Sequence, residues 1–411
     1  MTIKEAVEGK KILIWGYGRE GKSSERYLQQ FCNCELIDTY EGTIDGIDED
    51  KYDLILKSPG IVMDGDRPKY TSQTELFLSQ YRNQVIGITG TKGKSTTSAM
   101  MAHVLADCTD KNVILLGNIG LPCMDYCSEI TDDTIIVFEM SCHQLKHTKV
   151  SPHISIFLNL YEEHLDYYKT MDAYFTAKSH VASYQNENDY YFCGENVPDF
   201  ATNAKKFVID KNGIGGNELK IYGEHNQLNA KFVRTIAVEV FGCKDSDVSA
   251  SLKTFTGLPH RLQSVGEYRG IGWYDDSIST IPEAAISALE SIPGVYSILI
   301  GGMDRGISYE ILEDYMIAHR EYQYICMYET GRRIAEEIAK KLVVNSSNAD
   351  KILTNMVVVD DLAQAINKAV ELTPAGRGCV MSPAAASYGY FKNFEERGEV
   401  FCDIIKNYTK I

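Results

Sequence analysis

VIGITGTKGKSTT, residues Val85–Thr97, decides how the rest of the chain is read. Val85–Thr89 has the composition of a short buried strand, Gly90 and Gly93 mark a turn, and a helix follows from Lys94. Where a strand passes into a helix through glycines, backbone N–H groups and the positive helix end favour an anion. The segment Gly90-Thr91-Lys92-Gly93-Lys94-Ser95-Thr96 is therefore expected to cradle phosphates. Lys94 would supply a point charge and Ser95 or Thr96 a hydroxyl for Mg²⁺. The general G-x-x-x-x-G-K-[ST] spacing does not hold, because Ile88 stands six residues before Lys94.

Two later apolar runs point to the same place. Thr134–Glu139, TIIVFE, ends in a carboxylate, and Ile154–Leu160, ISIFLNL, runs out towards His164. Consecutive buried strands ending in potential metal ligands, beside a phosphate loop, fit Mg²⁺ held near a nucleotide. Lys178 lies in Tyr174–Tyr184, YFTAKSHVASY, read as a helix, where a surface charge is the reading from spacing alone. His225 and Asn226 in GEHN come near the start of another helix and are able to face a ligand.

Towards the N-terminus, Lys11–Gly21, KILIWGYGREG, gives a strand and then Gly16, Gly18 and Gly21 in G-x-G-x-x-G spacing. A helix over Ser23–Phe31 and a second strand ending at Asp38-Thr39 complete a β-α-β unit. Such a unit is open to uridine or another nucleotidyl ligand, to a dinucleotide, or to a purely structural tight turn. Strands and helices alternate to the end of the chain, through WYDDSIST, where Asp275 and Asp276 are read as following a short strand, SILIGG and GCVMSP, so the class is α/β with largely parallel sheets.

The 411 residues are too many for one core. Short junctions near Arg82–Gln84 and Phe255–Arg261 divide them. With 41 basic and 57 acidic side chains the net charge is −16, which argues against nucleic acid or a polybasic membrane contact. Eleven cysteines without a C-x-x-C pair read as reduced cytosolic thiols, and neither a leader nor a membrane span is expected.

GTKGKST, GNIG, FEMSCHQL, the His164 loop, YFTAKS, GEHN, GLPHR, SPAAAS and FKNFEERG, in that order, resemble the Mur ligases over essentially the whole chain. The likeness is greatest to those adding glutamate to UDP-N-acetylmuramoyl-L-alanine in peptidoglycan synthesis. The resemblance implies three domains: a Rossmann-like one for the UDP-sugar (1–83), a P-loop-type ATPase (84–258) and a Rossmann-like one for the amino acid (259–411). It implies an acyl phosphate made from ATP and then displaced by an amine, in a cytoplasmic monomer.

The resemblance carries roles to individual residues. Lys94, His164 and Lys178 would be catalytic; Ser95, Glu139, His164 and Lys178 would hold two Mg²⁺ ions, Lys178 as a carbamate formed with CO₂. Asn226, Arg261 and Asp276 would meet ATP; Gly16, Gly18, Arg19, Glu20, Asp38, Thr39 and Asn118 the UDP-substrate; Thr280, Arg305, Ser387 and Phe394 the amino acid. Ile278 and Ile281 stand where the family has lysine and asparagine, and Gly389 where it has aspartate. D-glutamate, L-glutamate or another amino acid therefore all remain open. A folylpolyglutamate-type ligase, another Mur-type ligase and a nucleotide-binding regulatory protein are the alternatives. A dehydrogenase rests on GYGREG alone.

Overall fold

In a computed structural model, the described residues are all except 64, 66, 120, 213–218, 222, 345–354 and 408–411. Gly120 of GNIG, most of the turn expected at Asn212–Gly216, and Tyr222 lie outside them. Two compact units are present: Met1–Asn217 with His225–Lys253, and Glu218–Glu224 with Thr254–Ile411.

The first unit contains two sheets. The N-terminal sheet has strands β1 (Lys11–Trp15), β2 (Leu36–Tyr40), β3 (Leu54–Lys57) and β4 (Tyr70–Thr71) in the order β2-β1-β3-β4, all parallel. Asp38 and Thr39 thus lie within β2 and not beyond it. The helix Arg19–Phe31, with Gly18 as its N-cap, starts four residues earlier than the apolar pattern suggests. Gly16 has φ +93, and a Cβ there would come within 2.7 Å of Ser58 and Ile61. Glycine at this point is a packing requirement as well as a turn signal.

The second sheet is built from β5 (Val85–Thr89), β6 (Asn112–Gly117), β7 (Thr134–Glu139), β8 (Ile154–Phe157), β9 (Tyr190–Gly194) and β10 (Lys205–Ile209). Its order is β10-β9-β8-β5-β7-β6, again all parallel. β5, β7 and β8 are buried along their whole length, as continuous apolar runs flanked by helices should be. The strand order reverses beside β5, so the ends of β5, β7 and β8 form the crevice where ligands sit in open α/β sheets. Phe77, Phe138, Phe157 and Tyr191 centre the core on one face of this sheet.

The second unit has β11 (Gln263–Tyr268), β12 (Ile271–Asp275), β13 (Val295–Ile300), β14 (Gln323–Met327), β15 (Met356–Val359) and β16 (Gly378–Met381), ordered β11-β12-β16-β13-β14-β15. Only the β11–β12 pair among these is antiparallel. Cores form on both faces, around Ile298, Tyr324 and Ile334 on one and Trp273, Leu299 and Phe401 on the other.

Candidate active site

β5 delivers Gly90 and Gly93, with φ +156 and +84, and Gly93 caps the helix Lys94–Cys108. The loop between them is fixed from outside. The Thr91 and Lys92 amides donate to the Asn159 carbonyl oxygen (3.0 Å) and Oδ1 (2.9 Å). The Asn159 side chain donates to the Lys92 carbonyl (3.0 Å). A Cβ on Gly93 would meet Asn229 at 3.0 Å, and Asn229 in turn donates to Asn226 (3.2 Å) on the helix Glu224–Glu239. Asn226 is therefore held beside the phosphate loop.

Two amines converge on the loop. Lys94 Nζ donates to the Gly90 and Thr91 carbonyls (3.0 and 2.9 Å). Lys178, 1% exposed on the helix Met171–Ser179, donates to the same Gly90 carbonyl (2.7 Å). Burial, then the nearby Lys94, pushes the Lys178 amine down to about 7; burial also lowers that of Lys94. Two partly desolvated amines on one backbone loop make a site suited to an anion.

The counter-charge comes from the end of β7. Glu139 is 1% exposed, and its Oε1 accepts from Asn118 Nδ2 (2.8 Å). Its Oε2 is buried without a hydrogen-bond partner among the described residues. Gly117, immediately before Asn118, has φ +107, and a Cβ there would lie 2.4 Å from the Glu139 carbonyl. The close approach of the two loops requires that glycine.

Lys94, Asn118, His164 and Lys178 line one cavity of about 370 Å³ together with Arg19, Glu20, Ser141, Cys142, His143 and Gln144. The N-terminal sheet thus contributes two of the expected UDP-substrate residues to the same space. Gln144 Nε2 donates to Glu20 Oε1 (2.8 Å), joining positions 124 apart in sequence. Burial raises the Glu20 carboxyl. His164 is exposed, at φ +58, and its ring meets that of His143 edge-on with centroids 5.3 Å apart. Burial pulls the His143 imidazole down to about 4, with His164 adding to the effect.

Asp38 and Thr39 line a different cavity, with Lys51 and Tyr52. Lys51 and Tyr52 each donate to the Asp38 carboxylate at 2.7 Å and hold it below its ordinary pKa. Gly16 and Gly18 shape the turn before Arg19.

The remaining candidates belong to the second unit. Asp276 is buried; it accepts from the Leu262 amide (3.1 Å), Ser382 (2.7 Å) and Ser279, and burial lifts it to about 6. Arg305 donates to the Thr280 carbonyl (2.8 Å), and Ser387 is buried. The Phe394 carbonyl accepts from Ser277 (2.7 Å), and Arg261 is exposed. Ile278 is half-buried and Ile281 exposed, while Gly389 has φ +86.

Several residues at these sites had no expected role. Lys57, buried and pulled down to about 8, sits near Glu20. Cys142 and His143 enter the cavity from FEMSCHQL. Arg397, fully buried, donates to Ser277 Oγ (3.0 Å), the Ser277 carbonyl (2.7 Å) and the Ala385 carbonyl (3.1 Å). Cys142 and His143 fall within FEMSCHQL and Arg397 within FKNFEERG, but nothing in those stretches singled out the individual side chains, and nothing marked the burial of Lys57.

Residues 88–241 match the Mur ligase middle domain. The UDP-N-acetylmuramoylalanine--D-glutamate ligase of Lactobacillus delbrueckii subsp. bulgaricus is 31% identical over 459 residues, covering 97% of each chain. Among solved structures, the UDP-N-acetylmuramate-alanine ligase MurC of Thermotoga maritima superposes with a TM-score of 0.57 at 16% identity, covering 97% of this chain and 100% of that one. MurF ligase of the same organism, solved in complex with ADP, gives 0.51 at 16% identity, covering 98% and 97%. The full-length relative, the matched central domain and the shared fold agree with the site geometry: this chain belongs to the Mur ligase family.

Proposed function

We propose that this chain is the ATP-dependent ligase that joins D-glutamate to UDP-N-acetylmuramoyl-L-alanine in peptidoglycan precursor synthesis. The relatives' name supports that substrate pair. The observation that carries the reading is the single cavity lined by Arg19 and Glu20 from the helix after β1 and by Lys94, Asn118, His164 and Lys178 from the helices and loops around the second sheet. A UDP-linked acceptor and a nucleotide triphosphate need such a shared space. ATP as the energy source is supported by the phosphate loop and by the ADP held by MurF of Thermotoga maritima.

In this reading the loop amides and Lys94 hold the β- and γ-phosphates. The acceptor carboxylate attacks the γ-phosphorus, giving ADP and an acyl phosphate; the amine of glutamate then displaces phosphate. The protein contributes positioning and charge stabilisation. Asn118 holds Glu139 in place, and Arg19 orients the acceptor. Asn226 meets the adenine. On the second unit, Arg305, Thr280, Ser387 and Phe394 receive the amino acid, Arg305 as a bidentate partner for its carboxylate. Arg261 and Asp276 are assigned to ATP. The division into 1–83, 84–258 and 259–411 follows the three substrates.

The donor set fits magnesium. Among the described residues the buried Glu139 Oε2 has no hydrogen-bond partner, and an oxygen ligand beside a hydroxyl-bearing loop is what a hard cation takes. Glu139 with Ser95 or Thr96 would hold one ion, and His164 with Lys178 a second. Magnesium neutralises charge on the transferring phosphoryl group. Lys178 fits carbamylation, since an amine near 7 is substantially uncharged at neutral pH, the form that reacts with CO₂. The modification would convert a buried cation into an anion with oxygens to offer. ATP and a UDP-linked precursor are cytoplasmic substrates, and we assign the protein to that compartment.

Phosphate release tests the reading. It is expected only when ATP, UDP-N-acetylmuramoyl-L-alanine and D-glutamate are all present, with L-glutamate and aspartate as comparison substrates. Equal release without the UDP-sugar acceptor would overturn the assignment.

A further inference from the structure

Among the described residues, Cys142, His143 and His164 form the one group of His, Cys and acidic side chains whose donor atoms, one from each, all lie within 4.8 Å of one another. Cys142 and His143 open the short helix Cys142–Leu145 just beyond β7, and His164 comes from the loop after β8. Cys142 is buried, His143 half-buried and His164 exposed, so the group runs from the protein interior out to the cavity. The ligase reading uses His164 alone. A thiol and two imidazoles are not the donors a magnesium ion selects, because Mg²⁺ takes oxygen ligands in octahedral geometry. They are the donors of a softer ion, and three protein ligands with one open position is a recurrent arrangement for zinc.

We propose that Cys142, His143 and His164 form a binding site for a divalent cation of the zinc class, and that its occupation blocks the ligase by withdrawing His164. On binding, the Cys142 S–H bond breaks, an S–Zn bond forms and the proton passes to solvent. No electron is transferred. At zinc–sulfur and zinc–nitrogen distances of about 2.3 and 2.0 Å, tetrahedral neighbours lie roughly 3.5 Å apart. No pair therefore has to close by more than about 1.3 Å, within reach of side-chain rotation. The imidazole of His143 is already oriented by Tyr167, edge-on at 4.5 Å, and by Tyr168, stacked at 5.6 Å. Lys57 and Lys146 place positive charge near His143, as Lys178 does only while it is protonated, and that charge opposes the ion. The thiolate formed on binding offsets one positive charge of the ion.

Binding does not depend on the ligase reading; blocking does. The full-length chain, freed of metal, would be titrated with Zn²⁺ against a chromogenic chelator, and separately with Co²⁺ as a spectroscopic probe. One ion per chain is expected, with a thiolate-to-cobalt charge-transfer band that Zn²⁺ abolishes and excess Mg²⁺ does not. Cys142→Ser should remove the band, and both it and His143→Phe should weaken Zn²⁺ at least tenfold. X-ray absorption of the zinc-loaded wild type, which needs no variant, should report one sulfur and two imidazole nitrogens. A sulfur-free shell, or affinity in Cys142→Ser within twofold of wild type, would overturn the site. In the ligase assay, Zn²⁺ should inhibit the wild type reversibly on chelation, and sensitivity relative to each protein's own zinc-free rate should fall tenfold in Cys142→Ser. Turnover that continues with zinc bound would refute the blocking role. A chain that binds zinc through Cys142 yet never turns over would instead count against the ligase assignment and leave the site standing.

Discussion

Replacing Lys178 by methionine should make the protein more stable while it destroys turnover. The amine is 1% exposed and drawn from an ordinary 10.5 to about 7, with burial the main cause and Lys94 the next. The depressed value means that folding penalises the protonated form. That penalty is full below pH 7, shrinks as pH rises between about 7 and 10.5, and is absent above. At about 1.4 kcal/mol per pH unit it amounts to roughly 4 kcal/mol at pH 7 and roughly 2 kcal/mol at pH 9. Methionine matches the length of the lysine stem and loses the hydrogen bond to the Gly90 carbonyl, a cost of about 1 kcal/mol. The net gain of on the order of 3 kcal/mol at pH 7 should raise the melting temperature of the first unit by roughly 6–12 °C, and by less than half of that at pH 9. Scanning calorimetry in CO₂-free buffer at the two pH values measures it. Wild type with ¹³C-bicarbonate should show a carbamate resonance that Lys178→Met lacks, and bicarbonate should not restore turnover. A variant less stable than wild type at pH 7, or a gain that does not shrink by pH 9, would refute the buried-amine reasoning.

Glu139→Gln keeps the Asn118 contact but removes the anionic oxygen that has no partner among the described residues; turnover should fall at least a hundredfold and the magnesium requirement rise, measured by phosphate release across a magnesium series. Gly398→Ala would set a Cβ 2.0 Å from His260 Nδ1 and 2.7 Å from Asp275 Oδ2, breaking a buried 2.7 Å hydrogen bond; the second unit should lose about 3 kcal/mol in denaturant unfolding. Arg305→Met should raise the KM for the amino acid at least tenfold with little change in the KM for ATP, as steady-state kinetics with each substrate varied would show.

The strands that carry the phosphate loop, Glu139 and the His164 loop were legible because each is a continuous apolar run buried on both faces. Thr134–Glu139 falls where the sequence reading puts it. Helix ends were less so. A helix was expected over Tyr174–Tyr184, yet it spans Met171–Ser179, since the Thr170 side chain accepts from the Ala173 amide and starts it earlier. β11 was missed because its burial is mixed and its register shifts between Ser264 and Gly266, which erases clean alternation. The aspartates of WYDDSIST were read as following a strand; Asp275 ends β12, and Asp276 is enclosed by Ser279 and Ser382. No local pattern could show that Gln144 would reach Glu20, because that pairing exists only once the two sheets, each with its own core, are packed into one unit. Lys57 and Arg397 escaped notice for the same reason, since burial of a cation is decided by tertiary packing.

The position of β5 between β7 and β8 has a consequence for how such a site is inherited. Adjacent strands are held about 4.8 Å apart by main-chain hydrogen bonds, so the strand end bearing Glu139 and the loop bearing His164 leave the sheet on a ruled grid. Side chains at their tips can be exchanged over generations while the pitch between them stays constant, because no side chain sets it.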